Sequence, residues 1–156
     1  QITRSGKSEL FSCAAKMTNV LALERAFVTL SLVINCCVLA AVCYGLFLRN
    51  RRMAVVYGEE TPARGILLAV YLAILLVSLL LIPLVHVSKT MAEGIWMAVG
   101  LFLVQIVYKI IAWFSMSGGI PPNMKHNPVA VSNLVIAAVH LVSVAIVGAG
   151  WTHPAT

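Results

Sequence analysis

Four polar side chains interrupt stretches of the sequence that are otherwise apolar: Asn35, Gln105, Lys109 and His140. Buried polar groups in a lipid environment seek hydrogen-bond partners on neighbouring helices. Ionisable groups there are also candidates for a proton or ion path. A proton relay normally includes an acidic residue, and the apolar stretches contain no Asp or Glu. We therefore expect these four side chains to link helices, with a path as the alternative.

Lys109 is the only Lys or Arg within the apolar stretches, and it follows Gln105 by four residues. Residues at this spacing share one face of a helix. Because a lysine stem can lie along apolar surface, we expect this side chain to extend to lipid headgroups or to an ion pair with Glu59 or Glu60. A Schiff base or a substrate contact is the alternative role for its ammonium group.

The cysteines Cys13, Cys36, Cys37 and Cys43 do not form a CxxC pair. Redox and metal sites usually need such a pair, or several ligands gathered in one loop. Cys36 and Cys37 are adjacent, so on a helix they point to different faces. We expect these cysteines to behave as small apolar side chains, and we predict no metal site and no catalytic residue.

The histidines raise the question of haem, whose two axial ligands must lie at one depth. His140 is near the middle of one apolar stretch, whereas His86 lies beyond the end of another. This places the two residues about 15 Å apart along the helix axes. His126 and His153 fall in a connecting segment and in the C-terminal tail. We therefore predict no cofactor.

The elements that hold these residues follow from composition and length. Of the 156 residues, 61% are hydrophobic and 10% are charged, whereas a soluble domain has about 25% charged residues. Disorder is excluded as well, because disordered chains are poor in apolar residues. Four uninterrupted apolar stretches are each long enough to cross a hydrocarbon core of about 30 Å. They cover about residues 26–48, 65–85, 94–114 and 129–150.

Lipid cannot satisfy open backbone groups, so these stretches must be helices. We predict an all-α, polytopic integral membrane protein with four transmembrane helices in an up-down bundle over residues 26–150. Residues 1–25 form either a short interfacial amphipathic helix or a polar tail, and residues 151–156 are a short tail. Residues 49–64, 86–93 and 115–128 are the connections. Pro128 suits the first turn of the last helix, and Pro83 should kink the second.

Small residues recur every four positions in all four stretches, which is the spacing that lets membrane helices approach closely. This pattern favours packing on more than one side of the bundle, as in a subunit surrounded by others. The repeats are Cys37, Ala41 and Gly45; Gly65, Ala69 and Ala73; Gly94 and Ala98; and Ala145 and Ala149.

The net charge of +6 comes from basic residues that lie between the apolar stretches. Anionic phospholipid is therefore a simpler partner than nucleic acid, which we do not expect. The residues expected to bind headgroups are Arg49, Arg51, Arg52 and Arg64.

Orientation follows the Lys and Arg residues near the membrane. Arg4 and Lys7 lie about 20 residues before the first stretch, where the rule stops counting. Without them, the number of Lys and Arg residues on each side favours a cytoplasmic 49–64 loop and both termini outside. The membrane is expected to be a bacterial inner membrane or an organellar membrane. Gln1 agrees if a signal peptide was removed, although a trimmed sequence or a lost organellar presequence would give the same start.

We expect a non-enzymatic structural subunit of a larger membrane-embedded or membrane-derived assembly, with other membrane subunits or copies of itself as partners. Respiratory, photosynthetic and secretion or conjugation machineries use such parts, and a pilin-like filament subunit is one version. The alternative is a small transporter or channel with a path through Gln105, Lys109 and His140.

Overall fold

A computed structural model describes residues 4–48, 51–57, 61–87, 91–116 and 128–151. These residues form helices alone: α1 (Arg4–Phe47), α2 (Arg51–Tyr57), α3 (Pro62–His86), α4 (Met91–Met116) and α5 (Pro128–Trp151). Four of them are long and apolar enough to span a membrane, over Thr18–Phe47, Pro62–His86, Ala92–Phe114 and Val131–Gly150. The predicted all-helical class and the four long apolar helices are confirmed.

Helix α1 is 44 residues long, which corresponds to about 66 Å at the usual helical rise. The segment predicted as a separate N-terminal element is helical from Arg4, and it continues into the first apolar stretch without a break. The polar N-terminal segment and the first span therefore form one helix.

Helix α2 lies in a segment that we predicted as a loop. Its seven residues are too few to show a helical period in the sequence. Met53 of α2 packs against Gly45 near the end of α1, where an added Cβ would lie 2.6 Å from Met53 Cε. The ring of Tyr57 meets the ring of Tyr71 on α3 edge to face, at a centroid distance of 6.4 Å. These contacts hold α2 against α1 and α3.

Helix α3 begins with a capped turn. Thr61 is the N-cap residue, its hydroxyl accepts a hydrogen bond from the Arg64 N–H at 3.4 Å, and Pro62 follows at the first helical position. At the other end, Pro83 lies within the last turn, and the Val87 N–H donates to the Pro83 carbonyl at 3.1 Å. Pro83 thus lies at the end of α3, where it interrupts little of the helix. Helix α5 begins at Pro128, as predicted.

Neighbouring helices contact each other in opposite residue order. Between α1 and α3, Thr29 contacts His86 and Asn35 contacts Ser78. Between α4 and α5, Phe102 contacts His140 and Lys109 contacts Asn133. The same order holds for α3 with α4 and for α1 with α5. Consequently α1 and α4 run in one direction, while α3 and α5 run in the other.

Two apolar clusters fill the interior. The first joins the four long helices and comprises Val28, Leu32, Leu81, Val85, Ile95, Ala98, Val99, Phe102 and Val147. The second packs α1 against α3 and comprises Leu39, Cys43, Leu46 and Tyr71. Along α1 and α3, polar residues lie between these two clusters, so the interior is layered.

Candidate functional site

All four polar residues singled out in the sequence lie inside the helix bundle. The exposed fraction is 0% for Asn35 and His140, 1% for Gln105 and 3% for Lys109. They are joined there by buried polar residues that the sequence analysis did not single out: Ser31, Arg64, Ser78, Asn133 and Ser143. The bundle therefore has a polar interior layer, to which all four long helices contribute.

His140 is held from two sides. Its Nδ1 lies 2.6 Å from the Ser31 hydroxyl of α1, and its ring stacks on Phe102 of α4 with centroids 4.6 Å apart. Its Nε2 has no hydrogen-bond partner among the residues that the structure describes. The imidazole thus ties α5 to α1 through Nδ1 and to α4 through the face of its ring.

A Ser–His pair at this distance is also the arrangement of nucleophilic catalysis. Both side chains, however, are completely buried, so a substrate has no access to them. A catalytic His also needs a group that orients its second nitrogen, and His140 Nε2 has none among the described residues. The hydrogen bond between the two side chains links α1 to α5.

Asn35 links α1 to α3. Its Nδ2 donates to the Ser78 hydroxyl at 2.8 Å, and that hydroxyl donates to the Ile74 carbonyl at 2.8 Å. Because Ser78 uses its one proton on Ile74, it must accept from Asn35, which fixes the orientation of the amide. The Asn35 Oδ1 atom then remains without a partner within the described part of the chain.

Gln105 belongs to the same level of the bundle. It follows Phe102 by three residues on α4, and Asn35 follows Ser31 by four residues on α1. Since α1 and α4 run in the same direction, both amides lie about one turn beyond His140. The Gln105 Nε2 atom is buried, and no described residue accepts from it.

The side chain of Lys109 is buried and does not extend to the outer surface of the bundle, where we expected it to reach headgroups or a glutamate. Its Nζ donates to the Asn133 Oδ1 of α5 at 3.3 Å, inside the bundle. Asn133 precedes His140 by seven residues, a spacing that puts both on one face of α5. That spacing was visible in the sequence and could have identified Asn133 as a partner. Glu59 and Glu60 lie outside the described residues.

Three tyrosines surround the end of the layer near α2. The Tyr108 hydroxyl donates to the Tyr71 hydroxyl at 2.6 Å, and the Tyr71 ring also meets Tyr57. Burial raises the pKa of the Tyr57 hydroxyl above the usual value for tyrosine, so this group stays neutral at physiological pH. The sequence analysis missed these tyrosines, because aromatic residues in apolar helices are common.

The remaining candidates lie apart from this layer. Cys36 and Cys43 are buried, Cys37 is exposed, and all three are free thiols; the side chain of Cys13 is outside the description. His86 is exposed and lies 3.0 Å from the Thr29 hydroxyl, measured from Nε2 to Oγ1. Across the described helices, no three His, Cys, Asp or Glu side chains come together as a metal site.

The four arginines expected at lipid headgroups differ in their surroundings. Arg51 is exposed on α2, whereas Arg64 is only 8% exposed at the start of α3. Arg49 and the side chain of Arg52 lie outside the description. Of the two arginines that can be placed, Arg51 faces outward and Arg64 packs into the protein.

The small-residue repeats divide between inner and outer faces. Gly94 and Ala98 of α4 are buried, whereas Gly65, Ala69 and Ala73 of α3 are exposed. Nothing in the described structure lies within 4 Å of a Cβ added at Gly65. The α4 repeat is used within the bundle, and the α3 repeat is presented outward.

Comparison of the chain with protein-family models, with curated proteins and with solved structures finds no match to any of them. The geometry of the helices and of the polar layer is therefore the basis for assigning a function.

Proposed function

We propose that this chain is an integral membrane protein in which α1, α3, α4 and α5 cross the bilayer in an up-down arrangement. Large apolar side chains cover the outer faces of these helices, among them Leu30, Leu76, Val104 and Leu141. Polar side chains nearer the middle of these helices are buried, among them Asn35, Ser78, Gln105 and His140. This distribution suits a lipid solvent, in which an exposed apolar surface has no cost. The opposite residue order of neighbouring helices supports the alternating directions.

Labelling of introduced cysteines tests this topology. In a variant without native cysteines, Gly58→Cys and Thr152→Cys should react from opposite sides of a sealed membrane. Under the proposed orientation, Gly58→Cys reacts from the cytoplasmic side of a bacterial inner or organellar membrane. Labelling of both positions from the same side would contradict four crossings.

We further propose that the protein is a non-enzymatic structural subunit of a larger membrane assembly. The observation that carries this proposal is the outer face of α3. Gly65, Ala69 and Ala73 lie on the side of the helix opposite to the buried Tyr71 and Ser78. Small residues give no advantage against lipid, but they allow a second helix to approach closely.

Helix α3 also has the largest outward surface of the four spans. In its most apolar stretch 17% of residues are buried, against 39%, 39% and 33% in α1, α4 and α5. A helix that shares so little of its surface with its own chain has the most room for a neighbour. We propose other membrane subunits or further copies of this chain as that neighbour, in respiratory, photosynthetic, secretion or conjugation machinery, a pilin-like filament included.

The decisive experiment enlarges the α3 face without adding polarity. Ala69→Leu and Ala73→Leu should reduce association in mild detergent and in vesicles about tenfold or more, measured by cross-linking and by particle mass. Val104→Leu is the matched control, since it adds apolar volume at an exposed position of α4. A native protein that is a discrete monomer under both conditions would contradict the proposal.

A transporter or channel is the second candidate, and the inward position of Gln105, Lys109 and His140 favours it. Its weakness is that an apolar cluster joins all four long helices on one side of the polar layer. Reconstituted vesicles decide between the two functions. If His140→Gln assembles normally but loses a proton or ion flux that the parent protein shows, transport replaces the structural role.

A further inference from the structure

Three buried polar atoms in the middle of the bundle lack a partner among the described residues: Asn35 Oδ1, Gln105 Nε2 and His140 Nε2. Their side chains come from α1, α4 and α5, and each is at least 99% buried, with exposed fractions of 0%, 1% and 0%. Leaving such atoms without a hydrogen bond is unfavourable, and buried polar groups are nearly always satisfied by protein or by internal water. The three atoms therefore point to a ligand.

The hydrogen-bonding character of these atoms restricts that ligand. Asn35 Oδ1 is an acceptor, because the bonds of Ser78 fix the amide orientation. Gln105 Nε2 is a donor. His140 Nε2 is a donor or an acceptor, depending on whether the Ser31 hydroxyl donates to Nδ1 or accepts from it. A ligand that serves all three must be able both to donate and to accept hydrogen bonds.

The charges nearby exclude an ion as the best ligand. Lys109 lies one turn from Gln105 on the same face of α4, so its ammonium group opposes a cation. The acceptor Asn35 Oδ1 opposes an anion. A small neutral hydroxylic molecule meets both conditions, and water is the smallest of these.

The position of the three residues supports a single site. Asn35 and Gln105 lie at the same level, about one turn from His140, and the layer falls between the two apolar clusters of the interior. Phe102, which belongs to the first cluster, covers one face of the His140 ring. The first cluster borders this layer at all four long helices, and the second borders it between α1 and α3.

We propose that Asn35, Gln105 and His140 form an internal site that binds water in the centre of the bundle. The site belongs to a single chain and does not depend on a neighbouring subunit, so it stands or falls independently of the structural role proposed above.

Nuclear magnetic resonance of the full chain in phosphatidylcholine vesicles tests the site without any substitution. Magnetisation transfer from water should reach the Gln105 side-chain amide and the His140 ring several-fold faster than the backbone amide of Ala98, which is fully buried in the first apolar cluster. Equal transfer at the three positions would overturn the proposal. A small organic alcohol found at one equivalent in the purified protein would overturn the assignment to water.

A double-mutant cycle provides a second test. Asn35 Oδ1 and Gln105 Nε2 have no partner among the described residues, and a water molecule bound by both would couple the effects of their substitution. The measured quantity is the change in the unfolding equilibrium constant. For the double variant Asn35→Leu, Gln105→Met, we expect this change to differ by about threefold or more from the product of the changes in the two single variants. The control is the double variant Asn35→Leu, Ser143→Ala. The Ser143 hydroxyl bonds to the Phe27 and Val139 carbonyls, so the effects of these two substitutions on the equilibrium constant should multiply. Multiplicative effects in both pairs would contradict the site.

Discussion

Gly94 of α4 packs directly on the backbone of Leu84 of α3. A Cβ added at Gly94 would lie 2.8 Å from the Leu84 carbonyl oxygen and 2.9 Å from the carbonyl carbon. Backbone atoms of a helix cannot move aside as the end of a side chain can. The absence of a side chain at Gly94 therefore sets how closely α3 and α4 approach.

Substitution of Gly94 should accordingly destabilise the bundle. We expect Gly94→Ala to cost about 1–3 kcal/mol, because the two helices must separate to admit the methyl group. Unfolding in mixed detergent micelles measures the loss. Gly148→Ala is the matched control, since nothing in the described structure lies within 4 Å of a Cβ there, and it should change stability by less than about 0.5 kcal/mol. Equal effects of the two substitutions would argue against the close α3–α4 contact.

Gly45 offers an intermediate case. An added Cβ would meet the Met53 side chain, with distances of 2.6 Å to Cε and 3.0 Å to Cγ. A methionine side chain is flexible and can repack. We expect Gly45→Ala to leave the four long helices intact and to loosen α2, with faster hydrogen exchange over residues 51–57. Unchanged exchange over residues 51–57 in the Gly45→Ala variant would show that α2 does not rest on this contact.

The Lys109–Asn133 pair predicts that stability lost in one variant is recovered by a second substitution. Asn133→Leu removes the acceptor of a buried ammonium group, and we expect a loss of about 1.5–3 kcal/mol, as for hydrogen bonds to charged groups. Adding Lys109→Met removes the charge itself, so the double variant should recover most of that loss. Thermal unfolding of the two single variants and the double variant in vesicles measures both effects. Simple addition of the two losses would contradict the pairing.

The Lys109→Arg substitution distinguishes between two positions of the lysine side chain, one inside the bundle and one at lipid phosphates. A guanidinium group has five N–H donors, whereas Lys109 Nζ donates one hydrogen bond, to Asn133 Oδ1, among the described residues. We expect Lys109→Arg to destabilise the protein more than Lys109→Met, in the same unfolding assay. A mild effect of the arginine would favour the headgroup contact expected from the sequence.

The two placed arginines should respond differently to neutralisation. We expect Arg51→Gln to weaken retention of anionic phospholipid, with about 1 kcal/mol lost per basic residue near the surface. Arg64→Gln should reduce the stability of the protein instead, because this side chain is buried at the start of α3. Lipid retained after detergent washing and unfolding of the same samples test this. If only the Arg64→Gln variant lost lipid, Arg64 and not Arg51 would be the residue that binds headgroups.

The long helices were predictable because four apolar stretches have the length and composition of helices that could cross a hydrocarbon core. Pro128 marked the start of α5 for a similar reason, since its missing N–H is tolerated only there. Helix α2 was not predictable, because its shape depends on contacts of Met53 and Tyr57 with other helices. The sequence left residues 1–25 open between an amphipathic helix and a polar tail, because their mixture of charged and apolar residues fits both; α1 is continuous from Arg4.

Four members of the polar layer were predictable from the sequence, but its pairs were not. Asn35, Gln105 and His140 stood out because amides and imidazoles are costly in lipid. Ser31 and Ser78 did not, because a serine can satisfy its hydroxyl on its own helix, as Ser78 does on Ile74. The direction of Lys109 depended on Asn133 being opposite, and only the packing of α4 on α5 decides that.

The length of α1 has a mechanical consequence. From Lys7 to Tyr44 the helix contains neither Gly nor Pro, so it has none of the usual hinge points. Ser31 and Asn35, which hold α5 and α3 through their hydrogen bonds, are part of the same stiff rod as the polar N-terminal turns. A sideways force on those turns must therefore tilt α1 as a whole. The tilt acts on the hydrogen bonds of Ser31 and Asn35, which join α1 to the rest of the bundle.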